Sequence, residues 1–402
     1  MNNLTAYFKK KAQLYLNKKD NRYDIIFFTL LITVILFFSY RVIYRPFWED
    51  EFFTASLVNE GFLSREFWKT VFEDVHPPLY YLLLDIWRQI EGGTFLGFRY
   101  FSVLVFALST FVLYKISGFL STAKDFRYLT VFLYVISPVF LNYATEARMY
   151  MLLSFFVLCS FYFFLKILSK KDNTLFTKKD YLNGLTSGLF LAFSFLVHYF
   201  GMLTAPAFAL VAVYKYRKKI LEKDIIKLLL TVFTPLVFSF LLWFPILFSQ
   251  YKNSMEKVSW IYEASIFGLF SAFNVILYDP KIDLFNLIVS PPLVFIPFLI
   301  FLVLVGLGYK KIKGNQTINI FLIFSWTPII LIFLLSKFTD LEFYILRYFL
   351  PFSAVFLIVY LWVFYKILPK YLFYLLAAVY TLIIFEQMWF ELLLSMTVGL
   401  LK

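Results

Sequence analysis

Apolar runs of the length needed to cross a bilayer, roughly 20 residues each, recur along almost the whole of this 402-residue chain, separated by short charged interruptions. Cutting the sequence at those interruptions gives eleven expected spans: 25–44, 97–117, 128–143, 148–168, 181–199, 201–216, 226–249, 285–308, 318–336, 346–365 and 371–393. The pattern predicts an all-α polytopic membrane protein of about 11 transmembrane helices. Composition agrees, since 61% of the residues are hydrophobic and 16% charged, whereas soluble domains have about 45–50% and about 25%. A soluble globule, a disordered chain and a disulfide scaffold are thereby excluded. The lone cysteine, Cys159, falls inside the apolar run from Leu152 to Leu165 and reads as a small core residue. With no internal repeat or linker, residues 1–402 read as one membrane-embedded domain.

The formal net charge of +13 would suggest nucleic acid in a soluble protein, but the charges do not form one patch. If the N-terminus is cytoplasmic, six short inner segments hold 25 of the 38 basic residues, while 18 of the 25 acids fall outside. That is the bias by which membrane proteins are oriented. The basic surplus is therefore an insertion signal and an attraction to anionic membrane lipids, and no nucleic-acid partner is expected. The first span lacks a small-residue cleavage site after its lysine-containing lead and reads as an uncleaved anchor.

Residues 45–98 form the longest stretch that cannot span, the first outer loop, and it is rich in aromatics. Pro46 followed by Glu49, Asp50 and Glu51 predicts a helix start, because carboxylates are favoured in a first turn. Phe52, Phe53, Leu57 and Val58 then recur near helical spacing, as in a helix lying in the membrane interface. His76-Pro77-Pro78 separates an earlier helix from one over Leu79 to Ile90, whose Tyr80, Tyr81 and Trp87 are expected in the aromatic belt.

Several polar clusters fall on the side the topology assigns as outer. The acidic trio reads either as a solvated cap or as the source of a base, since a partly desolvated carboxylate among like charges can take a proton from an attacking hydroxyl. His76 reads as a structural residue before a bend or as a donor to a phosphate oxygen; with Asp74 alone it lacks any metal-ligand spacing. Glu146-Ala147-Arg148-Met149-Tyr150 reads as an ion pair or as an arginine holding an anion, with Glu146 and Tyr150 on one helix face. His198-Tyr199 and Arg347-Tyr348 close and open spans at the same level, as interfacial anchors or as parts of one site.

The string Trp48-Glu49-Asp50-Glu51, then His76-Pro77-Pro78-Leu79-Tyr80-Tyr81, Arg99 with Ser102, Ser137-Pro138 and Glu146-Ala147-Arg148-Met149-Tyr150 resembles the polytopic glycosyltransferases of the C fold. More narrowly, it is similar to the family of dolichyl-phosphate-mannose protein mannosyltransferases and lipid A aminoarabinose transferases. The resemblance runs in order from Trp48 to Tyr150 and more loosely to His198-Tyr199 and Arg347-Tyr348. It implies transfer of a sugar from a polyprenyl-phosphate donor to a hydroxyl of a lipid, glycan or protein acceptor on the outer face, by inverting single displacement. By similarity Asp50 is the catalytic base and Glu51 its companion, with His76, Arg148 and Arg347 at the donor phosphate. Glu146, Tyr150, Tyr81, His198 and Tyr199 support them. Phe101 replaces a proline common in the family, and no soluble domain is seen after the last helix.

The rival reading is a transporter or flippase, which would place ionisable residues in mid-span. Segments such as Thr231 to Phe248 and Leu350 to Phe364 are nearly bare of them. A polymerase or ligase using lipid-diphosphate donors would keep the same topology. No cofactor is demanded by the residues and no metal site is expected, though a divalent cation is compatible with them. Lys-, Phe- and Ile-rich usage points to a bacterium, and so to the inner membrane.

Overall fold

The computed structural model describes residues 45–170, 175–254, 296–338 and 346–400, with 24, 27–29, 31–32, 35 and 42–43 before them. Most of the expected first span and the start of the eighth lie outside the described residues, as do Lys10 and Lys171, expected on the cytoplasmic side, and Lys257, expected outside.

The described residues are helical and contain no strand. Three short helices come first: α1 (Glu49–Asn59), α2 (Arg65–Glu73) and α3 (Leu79–Glu91). Glu49, Asp50 and Glu51 occupy the first turn of α1, where the helix dipole favours negative charge. Ser64 caps α2 by accepting from the Phe67 amide, and α3 ends at Gly92 with φ 94°, a left-handed conformation suited to glycine. Thr94 then caps α4 (Phe95–Ser117).

The bundle continues with α5 (Lys124–Ile136), α6 (Pro138–Ala144), α7 (Tyr150–Leu168), α8 (Lys178–Val197) and α9 (Thr204–Tyr216). It is completed by α10 (Lys223–Ser254), α11 (Ile296–Leu307), α12 (Tyr309–Ile312), α13 (Gln316–Phe338), α14 (Leu350–Ile367) and α15 (Lys370–Leu400). Six helices are long and apolar enough to cross a membrane, or seven when α5 and α6 count as one span bent by 61°. The bend is at Ser137-Pro138, where proline removes a helix donor and drives the preceding residue to extended angles. The described residues thus support six or seven of the eleven expected spans. The sixth, α9, has only 13 residues, or ~20 Å at 1.5 Å per residue, and the eleventh, α15, is helical but outside that set.

The core lies along α7 and α14, whose spanning windows are 78% and 89% buried, against 22% for the peripheral α10. The first packs between α4 and α8, and α8 in turn on α10. At Gly188 an added Cβ would lie 2.4 Å from the Val232 carbonyl oxygen, so the close approach of α8 and α10 requires glycine. The loop helices pack on the bundle, α3 on α4 and α8, and α2 on α10. Consequently Tyr80 and Tyr81 are fully buried and Trp87 donates to the Gly97 carbonyl at 2.8 Å. Tyr80 and Tyr81 are core residues at the loop's base and Trp87 packs half-buried against the core, not in the belt their sequence setting suggested.

Helix alternation puts at one end of the bundle the connection 118–123, flanked by Lys115, Lys124 and Arg127, with Lys170 after α7 and the basic connection 217–222. The 145–149 and 198–203 connections lie at the other, with the start of α1 and Arg347.

Candidate active site

One buried ion pair organises the polar end. The Arg99 guanidinium, on the first turns of α4, binds both oxygens of Glu51 at 2.8 and 2.6 Å, with both side chains fully buried. Its other donors go to the carbonyls of Val42 (2.9 Å), Arg45 (2.6 Å) and Pro46 (2.9 Å). All five guanidinium N–H groups are therefore used, and the guanidinium lies 3.7 Å from the centre of the Phe47 ring. Glu51 also accepts from the Ala147 amide at 2.8 Å. This pair joins the end of the first span, the loop, α4 and the 145–149 bend.

The same bend is held twice more. Ser102 donates to the Glu146 carbonyl at 2.6 Å, and Arg45 binds the Glu146 carboxylate at 2.6 Å and the Asn142 carbonyl at 2.8 Å. Because these partners capture its backbone and side chain, Glu146 stands in a bend and not on one helix face with Tyr150, as the spacing suggested. Its ion pair is with Arg45, not Arg148.

Arg148 turns the other way. Its Nη1 donates to the Asp50 carbonyl at 3.2 Å and the Thr54 hydroxyl at 3.0 Å, and its Nη2 is 3.5 Å from the Asp50 carboxylate. Its Nε is buried and has no hydrogen-bond partner. A desolvated guanidinium with an unused donor is suited to an incoming anion. The acidic trio separates as helical geometry requires: Glu49 is exposed, Asp50 is 37% exposed by its side chain, and Glu51 is buried.

Across from Arg148, the Tyr81 hydroxyl donates to Asp74 at 2.8 Å, and His76 Nδ1 lies 3.2 Å from the same oxygen. Burial alone would push the Asp74 carboxyl up, but His76, the Val75 amide and Tyr81 together hold it below its ordinary value. Burial and the Asp74 charge push the Tyr81 hydroxyl well up, so it remains a donor.

The His76 ring is 5.4 Å from that of His198, in the turn between α8 and α9. This turn exists because Gly201 comes so close to α8 that a Cβ there would lie 2.4 Å from the Ser194 carbonyl. His198 Nδ1 accepts from the Phe200 amide, which places the neutral ring's proton on Nε2. That atom is buried without a partner. Burial first, then the nearby His76, Arg347 and Arg148, push the ring's protonation well below its ordinary value. The Tyr150 ring is 6.0 Å from His198, its hydroxyl also buried without a partner, and the Arg347 guanidinium is 5.2 Å from the Tyr150 ring centre.

Asp50, His76, Arg148, Tyr150, His198 and Arg347 thus come together, with Tyr81 behind them. Tyr199 stands apart as a brace: it accepts from Trp243 Nε1 at 2.9 Å and donates to Gln250, which reaches the Val71 carbonyl at 2.8 Å. Sequence reasoning missed Arg45, Thr54 and Gln250. Only Thr54 had a local signal, its position four residues after Asp50 on one helix face. Among the described residues no group of three or more His, Cys, Asp or Glu is arranged to hold a metal ion.

Residues 75–243 match the family model described as dolichyl-phosphate-mannose-protein mannosyltransferase. ArnT from Cupriavidus metallidurans in the apo state aligns with TM-score 0.58 and 15% identity, over 84% of this chain and 58% of that one. The fold is that of the C-type glycosyltransferases. ArnT bound to undecaprenyl phosphate aligns with TM-score 0.54 and 14% identity, over 83% and 59% of the two chains. The archaeal oligosaccharyltransferase AglB from Archaeoglobus fulgidus, in complex with an inhibitory peptide and a dolichol-phosphate, aligns with TM-score 0.51 and 13% identity, over 89% and 54%. This chain therefore spans less than two thirds of the length of each. No curated protein matches its sequence. The family-model match bears out the resemblance seen in the sequence. It takes in His76, Arg148 and His198, begins after Asp50 and ends before Arg347.

Proposed function

We propose that this protein is a membrane glycosyltransferase that moves a sugar from a polyprenyl-phosphate donor to a hydroxyl acceptor at the outer face of a bacterial inner membrane. The observation that supports it most is the contrast between two arginines. Arg99 spends all five donors on the protein, whereas Arg148 keeps a buried donor beside the half-exposed Asp50 carboxylate.

In this reading the acceptor oxygen attacks the anomeric carbon as its proton passes to Asp50, and the bond from that carbon to the phosphate oxygen breaks with inversion. The polyprenyl phosphate leaves with the electron pair. Charge growing on it is met by Arg148, by Arg347 and by the His198 Nε2–H and Tyr150 hydroxyl, donors already oriented in a desolvated setting. His76 is held through Nδ1 by Asp74 with its ring 5.4 Å from that of His198, and in this reading its other nitrogen serves the same phosphate. Glu51 takes no proton here: with Arg99 it fixes the first turn of α1 and so the direction of Asp50. Because the reacting groups sit at the end away from the basic loops, a cytoplasmic N-terminus puts the chemistry outside.

The test is incubation of purified protein with a panel of polyprenyl-phosphate sugars and hydroxyl acceptors, following release of polyprenyl phosphate. Turnover of one donor supports the reading, and failure of all, with lipid-diphosphate sugars consumed instead, overturns it. Cysteines placed at 218, 311 and 60 and treated with an impermeant reagent in intact cells test the orientation. Only the third should react.

A further inference from the structure

The bundle end opposite the candidate active site contains a cavity of about 500 Å³. Lys170 just after α7, Lys215 in the last turn of α9, and Arg217, Lys218 and Lys219 after it supply five cations to its lining. Glu222 and Asp224 are the carboxylates there, so the balance is positive. The site has internal order. Lys170 is fixed by the Leu175 carbonyl and by Asp180 at 2.5 Å, its ammonium 5.4 Å from the Phe176 ring centre. Lys215 donates to Gln316 at 3.0 Å, and Tyr214 accepts from Asn319 at 2.6 Å. Phe176, Tyr214 and Ile225 give the lining an apolar part. Basic loops alone satisfy the orientation rule wherever their charges point. A concave arrangement drawn from two connections and the start of α13, with apolar walls, is what an amphiphilic anion requires.

We infer that this cavity is a second binding site, for a phosphate-bearing group of net negative charge, separate from the sugar-transfer chemistry. At the bundle end its natural source is the headgroup of an anionic phospholipid, with the acyl chains leaving along the exposed apolar faces of α9 and α10. Free phosphate would offer the same charge without those chains.

Native mass spectrometry of the delipidated full-length protein, titrated with phosphatidylglycerol or phosphatidylcholine, tests this. Two double variants remove equal charge at the same end: Arg217→Gln with Lys218→Gln in the cavity, and Lys310→Gln with Lys311→Gln outside its lining. Arg217 and Lys218 are exposed, so the fold should tolerate their change. Phosphatidylglycerol should bind in preference to phosphatidylcholine and be weakened about 30-fold by the cavity pair, as expected for two surface cations. The outside pair should change it less than twofold. Competition by inorganic phosphate at millimolar concentration would assign recognition to the phosphate itself, and lack of competition to the whole lipid. Equal weakening by both pairs, or equal binding of the two lipids, would overturn the site and leave only diffuse charge.

Discussion

The Asp50 carboxylate and the Arg148 guanidinium meet 3.5 Å apart, one 37% exposed by its side chain and the other almost wholly buried. A base that must receive an acceptor from water and a cation that must hold a lipid phosphate in a desolvated place need this difference in exposure. Asp50→Asn keeps the side-chain shape and removes the base. It should retain the fold and donor binding while losing about 10²–10⁴-fold in transfer rate. Glu49→Gln, at an exposed position of the same turn, should change little. Parent-like turnover by Asp50→Asn, with donor and acceptor both supplied, would reduce the trio to a charged cap.

Arg148 should show itself in both binding and rate. A cation contacting the phosphate strengthens that contact as charge develops, so Arg148→Ala should raise the donor Kd and also lower kcat. Lysine keeps the charge but has a single nitrogen, and cannot at once bond Thr54 and the Asp50 carbonyl as Nη1 does, face the Asp50 carboxylate as Nη2 does and leave a separate Nε–H for the phosphate. Arg148→Lys should recover only part of each loss. Donor titration and single-turnover rates separate the two effects, and a folded Arg148→Ala variant normal in both would make the residue structural.

Glu51 and Asp50 are adjacent yet should fail in different ways. Removing one partner of a buried, fully bonded ion pair leaves the other charge desolvated, at a cost of about 3–5 kcal/mol. Glu51→Gln should therefore lower the melting temperature of the detergent-solubilised protein by many degrees and reduce its yield, whereas Asp50→Asn should not. Equal melting temperatures for Glu51→Gln and the parent would contradict the organising role of the Glu51–Arg99 pair.

The helices and the gathering of Asp50, His76, Arg148, Tyr150, His198 and Arg347 at one end were legible in the chain; the contacts among them were not. The rotation of about 100° per residue announces that Glu49, Asp50 and Glu51 diverge. Which one is buried depends on Arg99 and Ala147, 48 and 96 residues further along. The Glu146 to Tyr150 spacing suggested a shared helix face for the same reason in reverse. Nothing local reveals that Arg45, Ser102 and Glu51 hold that segment in a bend. Tyr80 and Tyr81 resembled belt residues because aromatic residues at a membrane edge and under a packed loop helix look alike in sequence. Only the docking of α3 on α4 and α8 separates the two cases.

The last prediction concerns His198, one of only two histidines in the chain. Buried beside His76, Arg347 and Arg148, it takes up a proton only well below its ordinary value, whereas in the unfolded chain it does so near pH 6.5. Below that pH the unfolded state therefore binds the extra proton and the folded state does not. This contribution to stability falls as the pH falls, and it does not change above neutrality. With ¹⁵N-histidine labelling and no affinity tag, the spectrum should hold two ring systems, assigned by His76→Gln. From pH 8 to 5.5 the His198 nitrogens should keep the shifts of a neutral ring protonated at Nε2, the tautomer set by the Phe200 amide. Binding of undecaprenyl phosphate should move the Nε2–H resonance as that donor gains an acceptor. A His198 signal that titrates near 6.5, or one that ignores the lipid phosphate while Arg148-dependent binding is saturated, would remove this residue from the donor site.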